Sequence, residues 1–164
     1  MIQQWRGSKL GLQEAKMRRW ASVVGTAALF ACLGTVTAAD VDPKIAAITP
    51  ADQIPWRKTK AVDTAVLVGD PAKPGLYVEL IKWHAHNMSR PHFHPNDRYI
   101  TVISGTWWVG TGPKYDPDST VPVHAGSYVR HFAKQIHYDG AKDEDCVLEI
   151  VGEGPETMVS AEQK

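Results

Sequence analysis

The chain predicts an all-β fold, a sandwich or barrel of short strands, and three observations carry that reading. Runs rich in Val, Ile, Thr, Tyr and Trp recur about eight to ten times at spacings of roughly 8 to 12 residues. Clusters of Gly, Pro, Asn and Asp separate them. Beyond residue 39 no stretch keeps a 3.6-residue apolar period for three turns, so no helical layer is expected. With 164 residues and ordinary apolar content, one domain with its own core accounts for the length.

Residues 1–39 read as an address rather than as fold. Arg18 and Arg19 precede the apolar, small-residue run ASVVGTAALFACLGTVTA, and Val36-Thr37-Ala38 or Thr37-Ala38-Ala39 offers a cleavage site. A signal peptide starting at Met17 has the usual length, which makes the mature protein periplasmic or secreted. Two alternatives stand beside it: a retained membrane anchor, and a lipoprotein box, LFAC, that would attach the chain to a membrane at Cys32. This segment holds Arg6, Lys9, Lys16, Arg18 and Arg19 against Glu14 alone, so the remainder of a formally neutral chain is acidic, about −4. No basic patch survives to suggest nucleic acid. Only Cys146 is left for the mature chain, inside the apolar run CVLEIV, which excludes an intrachain disulfide or a thiol cluster.

Residues 40–60 hold three prolines and mixed charge, which suits an extended arm packing Ile54 and Trp56 onto the domain over residues 61–160. Residues 61–68 and 77–83 are strands joined by the turn GDPAKPG. Asn87 to Pro91 breaks the chain. Residues 99–103 and 106–109 form a pair about Ser104-Gly105, and a loop over 110–119 follows. Strands are expected at 120–123, in SYVRH, through His137 and Tyr138, and at 146–151. Residues 139–145, DGAKDED, read as a solvated turn, and 157–160 as an edge strand.

The stretch RPHFHPNDRYITVISG carries the chemistry. His92 and His94 stand two apart, so on extended chain both imidazoles project from one face, and Arg98, Ile100 and Val102 continue at the same parity. His137 is the best candidate for a third ligand. These residues resemble the cupin superfamily, whose first motif is a histidine, one residue, a histidine, three residues, a glutamate, six residues and a glycine. Here that is His92, His94, Arg98 and Gly105, with every spacing kept and the glutamate replaced. The second motif, from a glycine to a histidine eleven residues on, fits Gly126 and His137. Two motif glycines are His86 and Lys134 instead, and a motif proline is Phe132. AVLVGDPAKPG, HFHPND, VISGT and HYDG look like small exported bacterial single-domain cupins. The resemblance implies a double-stranded β-helix, a jelly-roll barrel of two packed antiparallel sheets, with one divalent metal held by histidines of both motifs and a homodimer as assembly. It does not fix a function.

Three neutral imidazoles suit iron, manganese, nickel, zinc or copper and leave positions open. Arg98 cannot ligate, since guanidinium has no lone pair to give. Three arrangements are open: a three-histidine centre whose Arg98 binds a carboxylate or enolate; a metal-free pocket in which Arg98 pairs with Asp97 or Glu79; and an outward Arg98 with Asp97, Gln135 or water as fourth ligand. His84 and His86 repeat the alternate spacing but read as surface or hydrogen-bonded residues, His124 as exposed, and His131 as a weaker candidate ligand. Of Trp107 and Trp108, one at most enters the barrel. Tyr138 is expected either to donate to a bound substrate or to pack. Lys114, Tyr115 and Asp116 lie on a loop able to form a lid. The leading expectation is an exported cupin with a metal at His92, His94 and His137 that acts on a small anionic molecule, with iron-type dioxygenase chemistry if it is an enzyme. The alternative is a ligand-binding or sensory module that uses Arg98.

Overall fold

The computed structural model describes residues 41–163. The expected leader over 1–39, its start at Met17 and the lipidation alternative at Cys32 lie outside the described residues. The strands are β1 (Val62–Val68), β2 (Gly75–Trp83), β3 (Asn87–Met88), β4 (His92–Phe93), β5 (Arg98–Ser104), β6 (Thr106–Thr111), β7 (Val121–His124), β8 (Tyr128–His131), β9 (His137–Ala141), β10 (Cys146–Gly154) and β11 (Val159–Ser160). Helix is confined, among the described residues, to single 3-10 turns at Ala51–Gln53 and Pro117–Ser119.

One sheet runs β1-β2-β10-β5-β8 and the other β11-β4-β9-β6-β7, with β3 also on β9. Every pairing is antiparallel. The period-2 alternation explains which faces meet. In β5, Arg98, Ile100 and Val102 are buried while Tyr99 and Thr101 are exposed. Across the ladder Ile100 faces Ile150 and Val102 faces Leu148. With Tyr77, Trp107, Ala141 and Cys146 they form the core, where each large aliphatic side chain contributes about 1.5–3 kcal/mol. Trp107 is the tryptophan that enters, whereas Trp108, on the opposite face, lies under the Lys142 ammonium at 4.0 Å.

Gly105 joins β5 to β6 at φ +71°, and a Cβ there would meet the Asp145 carbonyl oxygen at 2.2 Å. No other residue fits. The same left-handed conformation recurs at His86 (φ 64°) and Lys134 (φ 61°), the two positions where the cupin motifs have glycine. The backbone demands what these side chains resist, and it is pinned there, since His86 N–H donates to Lys142 O (2.7 Å) and Lys134 N–H to His94 O (2.8 Å).

Four boundaries differ from expectation. Residues 139–141 are not a solvated turn: β9 continues through Ala141, and all five of its residues are buried. Paired residues on β6 and β3 flank this segment, and they outweigh the turn-forming composition of DGA. The supposed break at Asn87 holds the two-residue β3, β6 runs on to Thr111, and β10 reaches Gly154. The arm contributes Arg57, bridged to Thr64 of β1, with Ile54 and Trp56 half-buried.

Candidate metal centre

β4 and β9 pair at one residue, His92 opposite His137, so the ladder itself brings the two motif histidines together. His94 follows two residues after His92 and returns to the same face. Their ring centroids lie 4.5–5.4 Å apart, and all three side chains are buried.

Each ring has one nitrogen committed to a backbone carbonyl. His92 Nδ1 donates to Arg90 O (2.8 Å), His94 Nδ1 to Thr157 O (3.1 Å) and His137 Nδ1 to Gln135 O (3.0 Å). Those partners only accept, so all three histidines are Nδ1–H tautomers and their Nε2 lone pairs converge. His92 Nε2 stands 3.1 Å from His94 Nε2, two acceptors face to face, and His137 Nε2 is buried without a partner. Two nitrogens each about 2.1 Å from one ion lie roughly 3.0–3.4 Å apart, so this donor set and spacing fit a divalent metal. Burial, reinforced by Arg98, His92 and His137, holds His94 down to about 2, and burial also lowers His137, so both stay neutral.

Arg98 is buried beside them and does not swing to solvent. Its Nη1 donates to His94 Nε2 (2.7 Å) and lies 3.5 Å from Glu156 Oε1, and its Nη2 is 3.7 Å from Glu79 Oε1. Asp97, expected as a partner of Arg98 or as a fourth ligand, instead binds Arg130 through its Oδ2, to which Arg130 Nε donates at 3.0 Å, and accepts from Ala133 N–H (2.7 Å). Gln135 points to solvent. Burial, then the neighbouring Glu156, pushes the Glu79 carboxyl up to about 7 against the opposing pull of Arg98.

Of the two roles expected for Tyr138, its placement accords with packing. As the neighbour of His137 on β9 it faces the other way, and its hydroxyl donates to Asp116 O (2.9 Å) and meets Ser119 Oγ (3.0 Å). The loop read as a lid is tied down by that bond and by Arg90 lying 3.8 Å over the Tyr115 ring. His84 binds Asp63 (3.0 Å), and His86 and His124 are exposed.

Sequence reasoning missed Glu156 and Asp139 and underrated His131. Glu156 lies past the end of β10 with no periodic signal. Asp139 is two residues after His137, and strand parity alone would have placed it on the same face. His131 sits opposite Arg98 in the β5–β8 ladder, its ring 3.8 Å from that of His137. A cavity of about 460 Å³ opens beside these groups, lined by His92, His94, Arg98, His131, Asp139 and Glu156 together with apolar side chains such as Ile81, Trp83, Leu148 and Met158. Its volume and mostly apolar walls with a few convergent polar groups suit a small organic ligand.

No protein-family model and no curated protein matches the chain. Solved structures do. The polyketide cyclase RemF from Streptomyces resistomycificus superposes with a TM-score of 0.60 at 13% identity, covering 73% of this chain and 87% of that one. An uncharacterised conserved protein from Klebsiella pneumoniae with a double-stranded β-helix domain gives 0.56 at 19% identity over 72% of this chain and 99% of its own. An RmlC-like cupin from Ralstonia eutropha gives 0.51 at 18% identity over 66% and 68%. Two antiparallel sheets, motif histidines paired across β4 and β9, and these superpositions agree: this chain has the cupin fold, a double-stranded β-helix.

Proposed function

We propose that the protein is an exported metal-binding cupin that takes one divalent ion on Nε2 of His92, His94 and His137 and a small carboxylate or enol in the adjoining cavity, with metal-dependent oxygenase chemistry as the activity. The supporting observation is the tautomer pattern, three backbone carbonyls that turn three imidazole lone pairs toward one point. A bound iron-type ion would supply Lewis-acid and redox chemistry there. The chain's own residues do the rest. Arg98 presents donors to an anion, its Nε being buried without a partner, and the apolar walls exclude water from the ligand. The Glu156 and Glu79 carboxyls beside the guanidinium temper the positive charge.

Metal analysis of the mature protein, made without an affinity tag and offered iron, manganese, nickel and zinc, tests the reading. About one equivalent is expected, lost in His92→Ala/His137→Ala. Less than a tenth of an equivalent, unchanged by those substitutions, would sink it. Oxygen uptake with the metal-loaded protein and small enols tests the activity. Export by a cleaved leader and pairing into a homodimer belong to the same proposal; amino-terminal sequencing of the secreted form and light scattering check them.

A second reading, a binding or sensory module that works without metal, is favoured by one contact. With Arg98 Nη1 on His94 Nε2 at 2.7 Å, the lone pair a metal would need is already used. Thermal stabilisation by carboxylates in the presence of a chelator, abolished by Arg98→Ala, distinguishes it.

A further inference from the structure

Beyond the three-histidine centre, we propose that His131, His137 and Asp139 form a second seat for the same divalent ion. It shares His137 with the first seat, so the two are exclusive. The ligand atoms of these three side chains lie within 4.8 Å of one another, and all three are buried. Two donors of one ion stand at most roughly 4.4 Å apart, so small side-chain rotations close the seat.

Several independent features mark it as built. His131 is 8% exposed, lines the cavity, and has neither ring nitrogen bonded to anything. Two orphaned polar atoms on one buried ring are rare without a ligand to satisfy one of them. His137 Nε2 is orphaned too, and Asp139 Oδ2 lies 3.8 Å from it. Asp139 is held in place. Trp107 Nε1–H donates to its Oδ1 (3.2 Å), leaving Oδ2 for an ion, while its backbone N–H donates to Ser89 Oγ (2.9 Å) and its carbonyl accepts from Ser89 N–H (2.8 Å). Outer partners of this kind orient metal ligands.

Electrostatics favours this seat over the first. Arg98 bears on both seats, hydrogen-bonded to His94 of the first and standing opposite His131 of the second, but the three-histidine seat has no carboxylate among its donors to offset it. The second seat supplies a carboxylate, the charge missing where Arg98 stands. Two imidazoles and a carboxylate suit iron, zinc or cobalt and leave positions open toward the cavity. His137 Nε2 has one lone pair, so the ion occupies one seat at a time.

Titration with Co(II) alone, followed by its visible absorption and by equilibrium dialysis, tests the seat. In His92→Ala/His94→Ala, about one equivalent should remain, with a Kd within tenfold of the unsubstituted protein. Adding Asp139→Asn to that variant should weaken binding by about 100-fold or more. Binding by the unsubstituted protein that vanishes in His92→Ala/His94→Ala overturns the second seat and leaves the three-histidine centre standing. Retention there, with loss on Asp139→Asn or His131→Gln, supports the second seat and counts against the three-histidine ligand set. No binding by any form overturns both. If the double variant fails to fold, the single substitutions decide: a spectrum and affinity altered by Asp139→Asn but not by His92→Asn support the seat, and the reverse pattern overturns it.

Discussion

Acid destabilises the metal-free protein through its buried histidines, by an amount that follows from the groups packed around Arg98. Burial holds His94 down to about 2 and His131 to about 3, against 6.5 for a free ring. Below pH 6.5 the unfolded chain takes up protons that these rings refuse, so their contribution is present above 6.5 and lost as pH falls toward the folded values. A pH of 4.5 lies about two units below the unfolded value of each ring, a loss of about 3 kcal/mol per ring, and His137 adds in the same direction. Glu79 works the other way. Its folded value of about 7, raised from 4.5 by burial and then by Glu156, means that its contribution is complete below pH 4.5 and lost as pH rises through 7, about 3 kcal/mol in all. The carboxyls held low by hydrogen bonds, Asp63, Asp97 and Asp145, titrate beneath this window.

Two rings outweigh one carboxyl, so unfolding free energy falls by about 2 kcal/mol or more between pH 7 and 4.5, a large share of a typical domain's 5–15 kcal/mol. Urea denaturation of chelator-treated protein across pH 4.5–8 measures it. Glu79→Gln removes the opposing contribution and steepens the loss to about 5 kcal/mol, whereas His131→Asn makes it shallower by about 3 kcal/mol. A stability that holds or rises as pH falls from 7 to 4.5, or a Glu79→Gln profile parallel to the unsubstituted one, would refute the reasoning.

His86→Gly and Lys134→Gly each stabilise the fold by about 0.5–1 kcal/mol, the relief of a left-handed backbone less glycine's extra unfolded freedom, read as a rise in urea midpoint with unchanged slope. Arg98→Gln does two opposite things: it costs the metal-free protein about 2–3 kcal/mol by leaving Glu79 and Glu156 without their cation, and it tightens divalent-ion binding at least tenfold by removing a competing charge. Calorimetric titration checks the second part, and weaker binding would contradict it. Tyr138→Phe costs about 1 kcal/mol through the bond to Asp116 O and leaves metal and ligand affinities unchanged; a loss of ligand affinity would return Tyr138 to the pocket.

What was legible in the sequence had a local cause. Strand alternation put Arg98, Ile100 and Val102 on one wall and His92 and His94 on one face, each a matter of a few consecutive residues, whereas His137, a distant candidate, was tied to them through the resemblance to the second cupin motif. Asp139 was misread for the converse reason. DGAKDED has turn composition, and only the strands on either side of β9 hold its first three residues extended. Glu156 depends on where the chain goes after β10, and no local pattern reports that.

The replacement of a motif glutamate by Arg98 therefore carries a different meaning in space from the one it has in sequence. Along the chain the site loses its carboxylate. Around the folded site three carboxylates stand near the histidines, Glu79 from β2, Glu156 from beyond β10 and Asp139 from β9. Two of them flank the guanidinium, and the third faces the ring shared by both ligand groups. A buried cation without such partners would cost several kcal/mol, so the arginine and its acids stand or fall together. Glu156, 3.4 Å from His94 Nδ1 and 3.5 Å from Arg98 Nη1, is taken up by the guanidinium, whereas Asp139 Oδ2, 3.8 Å from His137 Nε2, is the carboxylate left to meet a cation.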